Sequence, residues 1–307
     1  MDVDLSEPLA VFIAPRRMLA RLLRDSRTRI AIVVLVIVAL SAVFAPLLAP
    51  YDPTAQLDIV RLQSQPPSLA HPLGTDPYSR DVLSRLLYGS RISLAVGLGA
   101  VLLAMSFGIA VGAVAGFIGG AVDAVLMRFV DAALSIPRLL VLIMVASLWG
   151  SLGLVPLTLL MAGTGWFAVS RLVRAETLAL REREFIVAAR ALGASPLRIL
   201  VRHVLPNVAA PALVAATLGI ANVILLEAGL SYLGIGVRPP TASWGAIIQD
   251  GAERVSDLWW LTLFPGLAIL IAVFGMNLLS DGLNDVLDRG ESLMAPDQDV
   301  GQIAAVA

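Results

Sequence analysis

Ile92-Ser-Leu-Ala-Val-Gly-Leu-Gly-Ala-Val-Leu-Leu-Ala-Met-Ser-Phe-Gly-Ile-Ala-Val-Gly-Ala-Val-Ala-Gly-Phe-Ile118 contains no charged side chain. A hydrocarbon core about 30 Å thick is crossed by about 20 helical residues, so this run predicts a membrane-spanning helix. Gly108, Gly112, Gly116 and, just beyond it, Gly120 recur every fourth residue. On a helix that spacing makes one ridge without side chains. Helices in lipid gain nothing hydrophobic by associating, so close backbone packing over small residues has to join them. The ridge therefore reads as a packing seam within the chain, or as a face toward a partner subunit or a narrow path.

Five more apolar runs lie on either side: Ile30–Ala49, Ala124–Leu148, Leu152–Val169, Val208–Leu233 and Leu258–Ser280. The first is longer than the apolar region of a signal peptide and no clean cleavage site follows it, so it reads as an anchor. The whole chain of 307 residues is 58% hydrophobic and 15% charged, with a mean hydropathy of +0.86. An ordinary soluble domain carries about 25% charge, and a disordered chain more. The class is an all-α, polytopic membrane protein with six transmembrane helices.

The side-chain inventory excludes several chemistries. Without Cys there are no disulfides, thiolate metal sites or Cys nucleophiles. His71 and His203 are the two histidines and lie far apart in sequence, too few for a His-rich metal cluster. All 22 basic residues are Arg. A P-loop needs its Lys on the phosphates, so a Walker A site is excluded and any ATP is bound by another chain. A net charge of −1 gives no footprint for nucleic acid. No catalytic set, cofactor site or metal site is expected in this chain.

Arginine placement sets the expected orientation. With the N-terminus inside, 15 Arg fall on the inner side and 6 on the outer, with Arg138 inside the membrane. Both termini are expected in the cytoplasm. Two outer segments stand out. In Pro50–Tyr88, the piece Val82–Tyr88 reads as a short amphipathic helix on the membrane surface. In Gly234–Asp257 and just beyond, Trp244, Trp259 and Trp260 fit an interfacial aromatic belt. Among polar residues in spans, Asp131 and Arg128 are spaced to pair on one helix face, and Glu227 lies near the outer end of the fifth span. Asp131, Glu227 and Asn277 are read either as structural polar groups or as lining a translocation path.

The inner loop over residues 182–207 is the most specific feature. It reads as two short helices at an angle. Gly193 ends the first as a residue able to take positive φ. Ser195 caps the second, Pro196 occupies its first position, and Pro206 breaks it before the fifth span. On the first helix Phe185, Ala188, Ala189 and Leu192 share an apolar face suited to insertion into a groove of a soluble partner.

Ala188-Ala189, then Gly193, then Leu205-Pro206 resemble the EAA loop of bacterial ABC importer permeases; Val187 stands at the family's Glu and His203 at its Ile. Leu73-Gly-Thr-Asp-Pro-Tyr-Ser-Arg-Asp81 with its continuation to Leu94 is similar to dipeptide/oligopeptide permease C subunits. So are Glu227-Ala-Gly-Leu-Ser-Tyr-Leu-Gly-Ile-Gly236, Pro239-Pro240 with Trp244-Gly245, and Asn277-Leu-Leu with Asp281-Gly-Leu and Asp285.

The resemblance implies an N-terminal extra span and a MetI-like permease fold with a cytoplasmic coupling helix. The parts would be a cytoplasmic Arg-rich N-terminus 1–29, a first transmembrane helix with an extracytoplasmic segment 30–89, a MetI-like domain 90–285 and a cytoplasmic tail 286–307. Spans of that domain are expected at about 92–118, 124–148, 152–169, 208–233 and 258–280. Implied partners are a B-type permease forming a heterodimer, two ABC ATPase subunits that carry ATP and Mg, and an extracytoplasmic solute-binding protein. The implied place is the bacterial inner membrane. The implied docking residues are Glu184, Phe185, Ala188, Ala189, Leu192, Gly193, Ser195, Pro196, Leu205 and Pro206, and the implied function is ATP-driven import of peptides or a related small solute. The chain shows no internal repeat and no matched pair of Gly/Pro-interrupted spans, as an inverted-repeat secondary transporter would. A secondary transporter or channel would instead carry ion-coupling residues at mid-membrane.

Overall fold

The structure is a computed structural model that describes residues 22–23, 25–150 and 152–292. Most of the expected N-terminal part and the end of the expected tail lie outside the described residues. The described helices are α1 (Ser26–Val43), α2 (Ala45–Leu48), α3 (Val82–Ile118), α4 (Gly120–Leu134), α5 (Arg138–Trp149), α6 (Leu154–Arg181), α7 (Glu184–Ala191), α8 (Pro196–Ile199), α9 (Leu205–Tyr232), α10 (Trp244–Gly251) and α11 (Trp259–Ser292). Five helices are long and apolar enough to cross a membrane, and α4 with α5 makes a sixth if that bent pair is one span.

Several elements differ from the sequence reading for identifiable reasons. The piece Val82–Tyr88 is not a separate surface helix but the first two turns of α3, which has 37 residues. Asp81 starts it by accepting from the Ser84 N–H and Oγ, both at 2.8 Å, and no Pro interrupts it before Ile118. The run Ala124–Leu148 is two helices bent by 76°. Pro137 has no N–H to give the preceding turn and its ring disfavours helical backbone at the residue before it, so α4 stops at Leu134. The fourth span continues twelve residues past Val169, to Arg181. Ion pairs to α4 support that extension: Arg171 to Asp131 at 2.7 Å and Arg174 to Asp123 at 2.5 and 2.6 Å. Asp131 thus pairs across helices with Arg171, not along its own helix with Arg128.

Pro206 does not break the chain before the fifth span. Residues 200–204 form a π-turn, with the Leu205 N–H donating to the Leu200 carbonyl, and α8 runs through it into α9. The wider turn accommodates a ring that would clash in an α-helix. The Asn207 side chain then donates to the His203 carbonyl at 2.5 Å.

The glycine ridge is settled as an internal seam. A Cβ on Gly108 would stand 2.5 Å from Val169 Cβ, one on Gly112 would meet the Ser170 carbonyl, and one on Gly116 would stand 2.8 Å from Thr177 Cβ. All three face α6 on backbone-to-backbone terms. Gly120 is not part of it; it starts α4 at φ +59° with open space around it.

The main core lies where α3, α5, α6, α9, α10 and α11 meet, around Val96, Leu142, Leu157, Met161, Ile224 and Trp244. α1 lies outside, with Leu35 against Gly275 and Thr28 against Gly282 of α11. The bundle has two unlike ends. One, here the tryptophan end, carries residues 50–81, α10 and the start of α11. The other, the arginine end, carries α7, α8 and the long tip of α6. Two of the three tryptophans assigned to a belt are core pegs instead. Trp244 and Trp260 are buried and donate to the Leu86 and Thr75 carbonyls, while Trp259 is exposed.

Candidate functional site

Two residues separate α6 from α7, the second of them, Arg183, being the N-cap residue of α7. It ends in a full Schellman turn: the Gly193 N–H donates to the Arg190 carbonyl at 3.0 Å and the Ala194 N–H to the Ala189 carbonyl at 3.1 Å. Gly193 takes φ +80°, a left-handed conformation that suits glycine. Ser195 then caps α8, its Oγ accepting from the Arg198 N–H at 3.4 Å, with Pro196 at the first helical position. The turn chemistry read from the sequence is therefore the turn chemistry of the structure.

The apolar face of α7 is divided. Ile186, absent from the sequence reading, is fully buried with Ala113, Val173, Ile199, Val204 and Val208. Phe185 and Ala189 pack partly against the same cluster, so they root the helix in its own chain and do not stand free. Ala188 and Leu192 stay exposed, Leu192 to 88%. Val187, which stands at the family's Glu, joins them as an exposed apolar residue, as do Leu197 and Val201, which the sequence does not single out. Glu184, Gly193, Ser195 and Pro196 are exposed, and Leu205 and Pro206 half-buried. The spacing of Ile186 and Ala189 was available as a signal. What decided the inward face was α8 with the π-turn after it, which carry Ile199 and Val204 beneath α7; the π-turn has no clear sequence mark.

At the tryptophan end two outer segments are tied by buried charge. Asp76 accepts from Arg80 Nε at 2.6 Å and also from Arg85 Nη1; Asp250 on α10 accepts from Arg80 Nη2 at 2.9 Å and from Arg85 Nη1 at 2.6 Å. His71 Nδ1 lies 2.9 Å from Asp81 Oδ1, under the Tyr51 ring. Below them Glu227 is fully buried and accepts from Ser93 Oγ at 2.9 Å and Ser231 Oγ at 2.7 Å. Ser243 Oγ donates to Ser231 Oγ, and the Trp244 N–H donates to Ser93 Oγ. This serine hub locks α3, α9 and α10 together. Asp131, Glu227 and Asn277 do not come together: Asp131 is paired at the arginine end, Glu227 is sealed in the hub, and Asn277 is exposed on α11.

A second polar feature lies within the spans. Arg138, at the start of α5, donates through Nε to Thr164 Oγ1 at 3.1 Å and through Nη2 to the Met161 carbonyl at 2.8 Å. A cation at mid-membrane costs about 2.5–3.5 kcal/mol on insertion scales, so one kept there is a site candidate. Among the described residues, groups of His, Asp and Glu that could hold a metal are absent.

The comparisons agree with this architecture. The family described as binding-protein-dependent transport system inner membrane component matches residues 108–292, and the N-terminal TM domain of oligopeptide transport permease C matches residues 16–67. The chain is 44% identical over 270 residues to a Brucella abortus protein named "Putative peptide transport system permease protein", covering 87% of this chain and 89% of that one. It is 37% identical over 259 residues to the oligopeptide transport system permease protein OppC of Bacillus subtilis, covering 84% of each. With a seam-packed helical bundle, a capped two-helix loop at one end and matches over residues 16–67 and 108–292, the chain belongs to the family of binding-protein-dependent ABC transport system inner membrane components, the MetI-like permeases.

Proposed function

We propose that this chain is the C-type permease subunit of an ATP-driven importer of peptides, with both termini in the cytoplasm. The names of its relatives support the solute class, and the 15-to-6 division of arginines supports the orientation. In this reading the arginine end faces the cytoplasm and the tryptophan end receives solute from an extracytoplasmic binding protein. A B-type permease completes the path, and two ATPase chains bind ATP and Mg.

The observation that carries the coupling role is the exposed apolar strip of Val187, Ala188, Leu192 and Leu197 around the Gly193 turn, on helices rooted by Ile186 and Ile199. A loop that buries one face in its own core and leaves the other bare is built to be covered by a partner. The ATPase cleft is that partner. Motion there passes into α9 directly, since α8, the π-turn and α9 are one helical run.

The test is reconstitution of the permease pair with its ATPases and binding protein in liposomes. Peptide uptake dependent on ATP and on every one of these components is expected, with this chain alone inactive. Nucleotide-independent uptake by the chain alone would overturn the reading. Orientation is checked separately by single-Cys labelling of the Cys-free chain. An impermeant reagent added to right-side-out cells should label Gln63→Cys and spare Ser195→Cys. The reverse pattern would invert the topology.

A further inference from the structure

An open cavity of about 380 Å³ lies between α5 and α9, lined by Arg138, Leu139, Asn222, Leu225, Leu226 and Gly229. Its two polar residues share a depth. Thr164, which Arg138 touches, is ten residues from the start of α6, and Asn222 is ten residues from the end of α9. Both helix ends belong to the tryptophan end. At 1.5 Å per residue each group lies about 15 Å in, half of a hydrocarbon core about 30 Å thick.

Arg138 is held in place. Besides its bonds to Thr164 and Met161, it lies over Gly165, where a Cβ would stand 3.2 Å from Nη2. A guanidinium has five N–H donors, and the two bonds leave three without a partner among the described residues. No acid among the described residues neutralises it. Asp123 and Asp131 are taken by Arg174 and Arg171, and Glu227 by serines. Asn222 is exposed on α9 across the cavity. The remaining walls are leucines, and Gly229 keeps the wall open, a Cβ there meeting nothing within 4 Å.

We propose that Arg138 and Asn222 form a mid-membrane station for the C-terminal carboxylate of a peptide in transit; this rests on the peptide-importer reading above. The fixed guanidinium offers the paired donors that match a carboxylate, and the Asn222 amide adds a third. The leucines take the last side chain. One cation and one amide hold a carboxylate without trapping it, which a path has to manage.

The test uses the reconstituted complex with binding protein, and tri- to penta-alanine probes as free acids and as C-terminal amides. Uptake is divided by the fraction of binding protein each probe loads. The wild type is expected to move acids about tenfold better than amides. Arg138→Gln should lower acid uptake about tenfold, lower amide uptake far less and so erase the preference. Asn222→Ala should erode it by a smaller factor, and Gly229→Leu, which fills the cavity, should slow both probes alike. A loss for acids and amides alike in Arg138→Gln, or loss of the B-type permease on pull-down, would make Arg138 a structural or inter-subunit residue and overturn the proposal. So would an undiminished acid preference. If the wild-type complex moves none of these or other peptides, the peptide-importer reading itself fails, and the station with it.

Discussion

The two ends of the bundle solve opposite problems with similar material. The tryptophan end is closed on itself: Asp76, Arg80, Arg85 and Asp250 neutralise one another, Trp244 and Trp260 are buried pegs, and Glu227 is ringed by serines. The arginine end is finished on one face only. Ile186 and Ile199 anchor it, but Leu192, Leu197, Val201 and Val187 are left in the open. The difference teaches where stability and coupling are kept apart. Substitutions at the first end should cost folding, and those at the second should cost partnership.

The largest expected effect is at Arg85, which is 2% exposed and bonds both Asp76 and Asp250. Arg85→Ala leaves Arg80 as the single cation facing both the buried Asp76 and the half-buried Asp250, and breaking a buried ion pair from one side costs about 3–5 kcal/mol. The thermal midpoint of the purified complex should fall steeply, or the chain should be degraded. A midpoint within a degree of wild type would show that the cluster does not hold this end.

Gly193→Val comes next. Nothing lies within 4 Å of a Cβ there, so its cost is the left-handed backbone alone, about 1 kcal/mol or more for a β-branched residue. The midpoint should shift slightly while ATPase retention on pull-down and uptake fall together. Retained coupling would mean that the turn does not aim α7. Leu192→Glu is the sharper probe, because Leu192 is 88% exposed and touches little of its own chain. Stability should stay within about 0.5 kcal/mol of wild type, as for most surface changes. ATPase binding should drop, because a charge would enter an apolar contact. Ala189→Glu, by contrast, should unfold the loop as well as uncouple it, since Ala189 is half-buried against the Ile186 cluster.

The smallest effect is at the start of α1. The Thr28 N–H and hydroxyl donate to the Asp25 carboxylate and hold its pKa below the ordinary carboxylate range. A depressed carboxylate contributes stability that is complete above its unfolded pKa and lost as pH falls through its folded one. Acidification through and below the ordinary carboxylate range should loosen α1 in wild type, and Asp25→Asn should blunt that dependence. Hydrogen exchange at Thr28 and Arg29 would read it, and identical pH profiles would dismiss the cap.

Much of this was legible in the residues. Long apolar runs locate the spans, because lipid demands about twenty such residues, and Gly193-Ala-Ser195-Pro196 spells out its own turn. What the sequence hid were distinctions made by neighbours. A π-turn and a helix break use the same proline signal, yet Pro206 continues a helix and Pro137 ends one. Trp244 and Trp259 are the same residue type in the same region, and only packing sends one inward. The polar residues whose spacing or place in the spans suggests a path are Asp131, Glu227 and Asn277, all acidic or amide. Arg138 stood in the same spans, but its isolation from every described carboxylate is visible only once the ion pairs are known.

The continuous run from Pro196 to Tyr232 has a mechanical meaning. It is gripped at Glu227 by the serine hub, and its other end is joined to α7 through Ile199 and Val204, so docking loop and run move together as a lever with its fulcrum near the far end. From Pro196 to Glu227 is about 46 Å, and from Asn222 to Glu227 about 8 Å, at 1.5 Å per residue. A swing of about 6 Å at the docking loop therefore moves Asn222 by only about 1 Å, multiplying force as it divides distance. That suits the removal of one hydrogen-bonding side chain from a bound carboxylate better than the opening of a wide door.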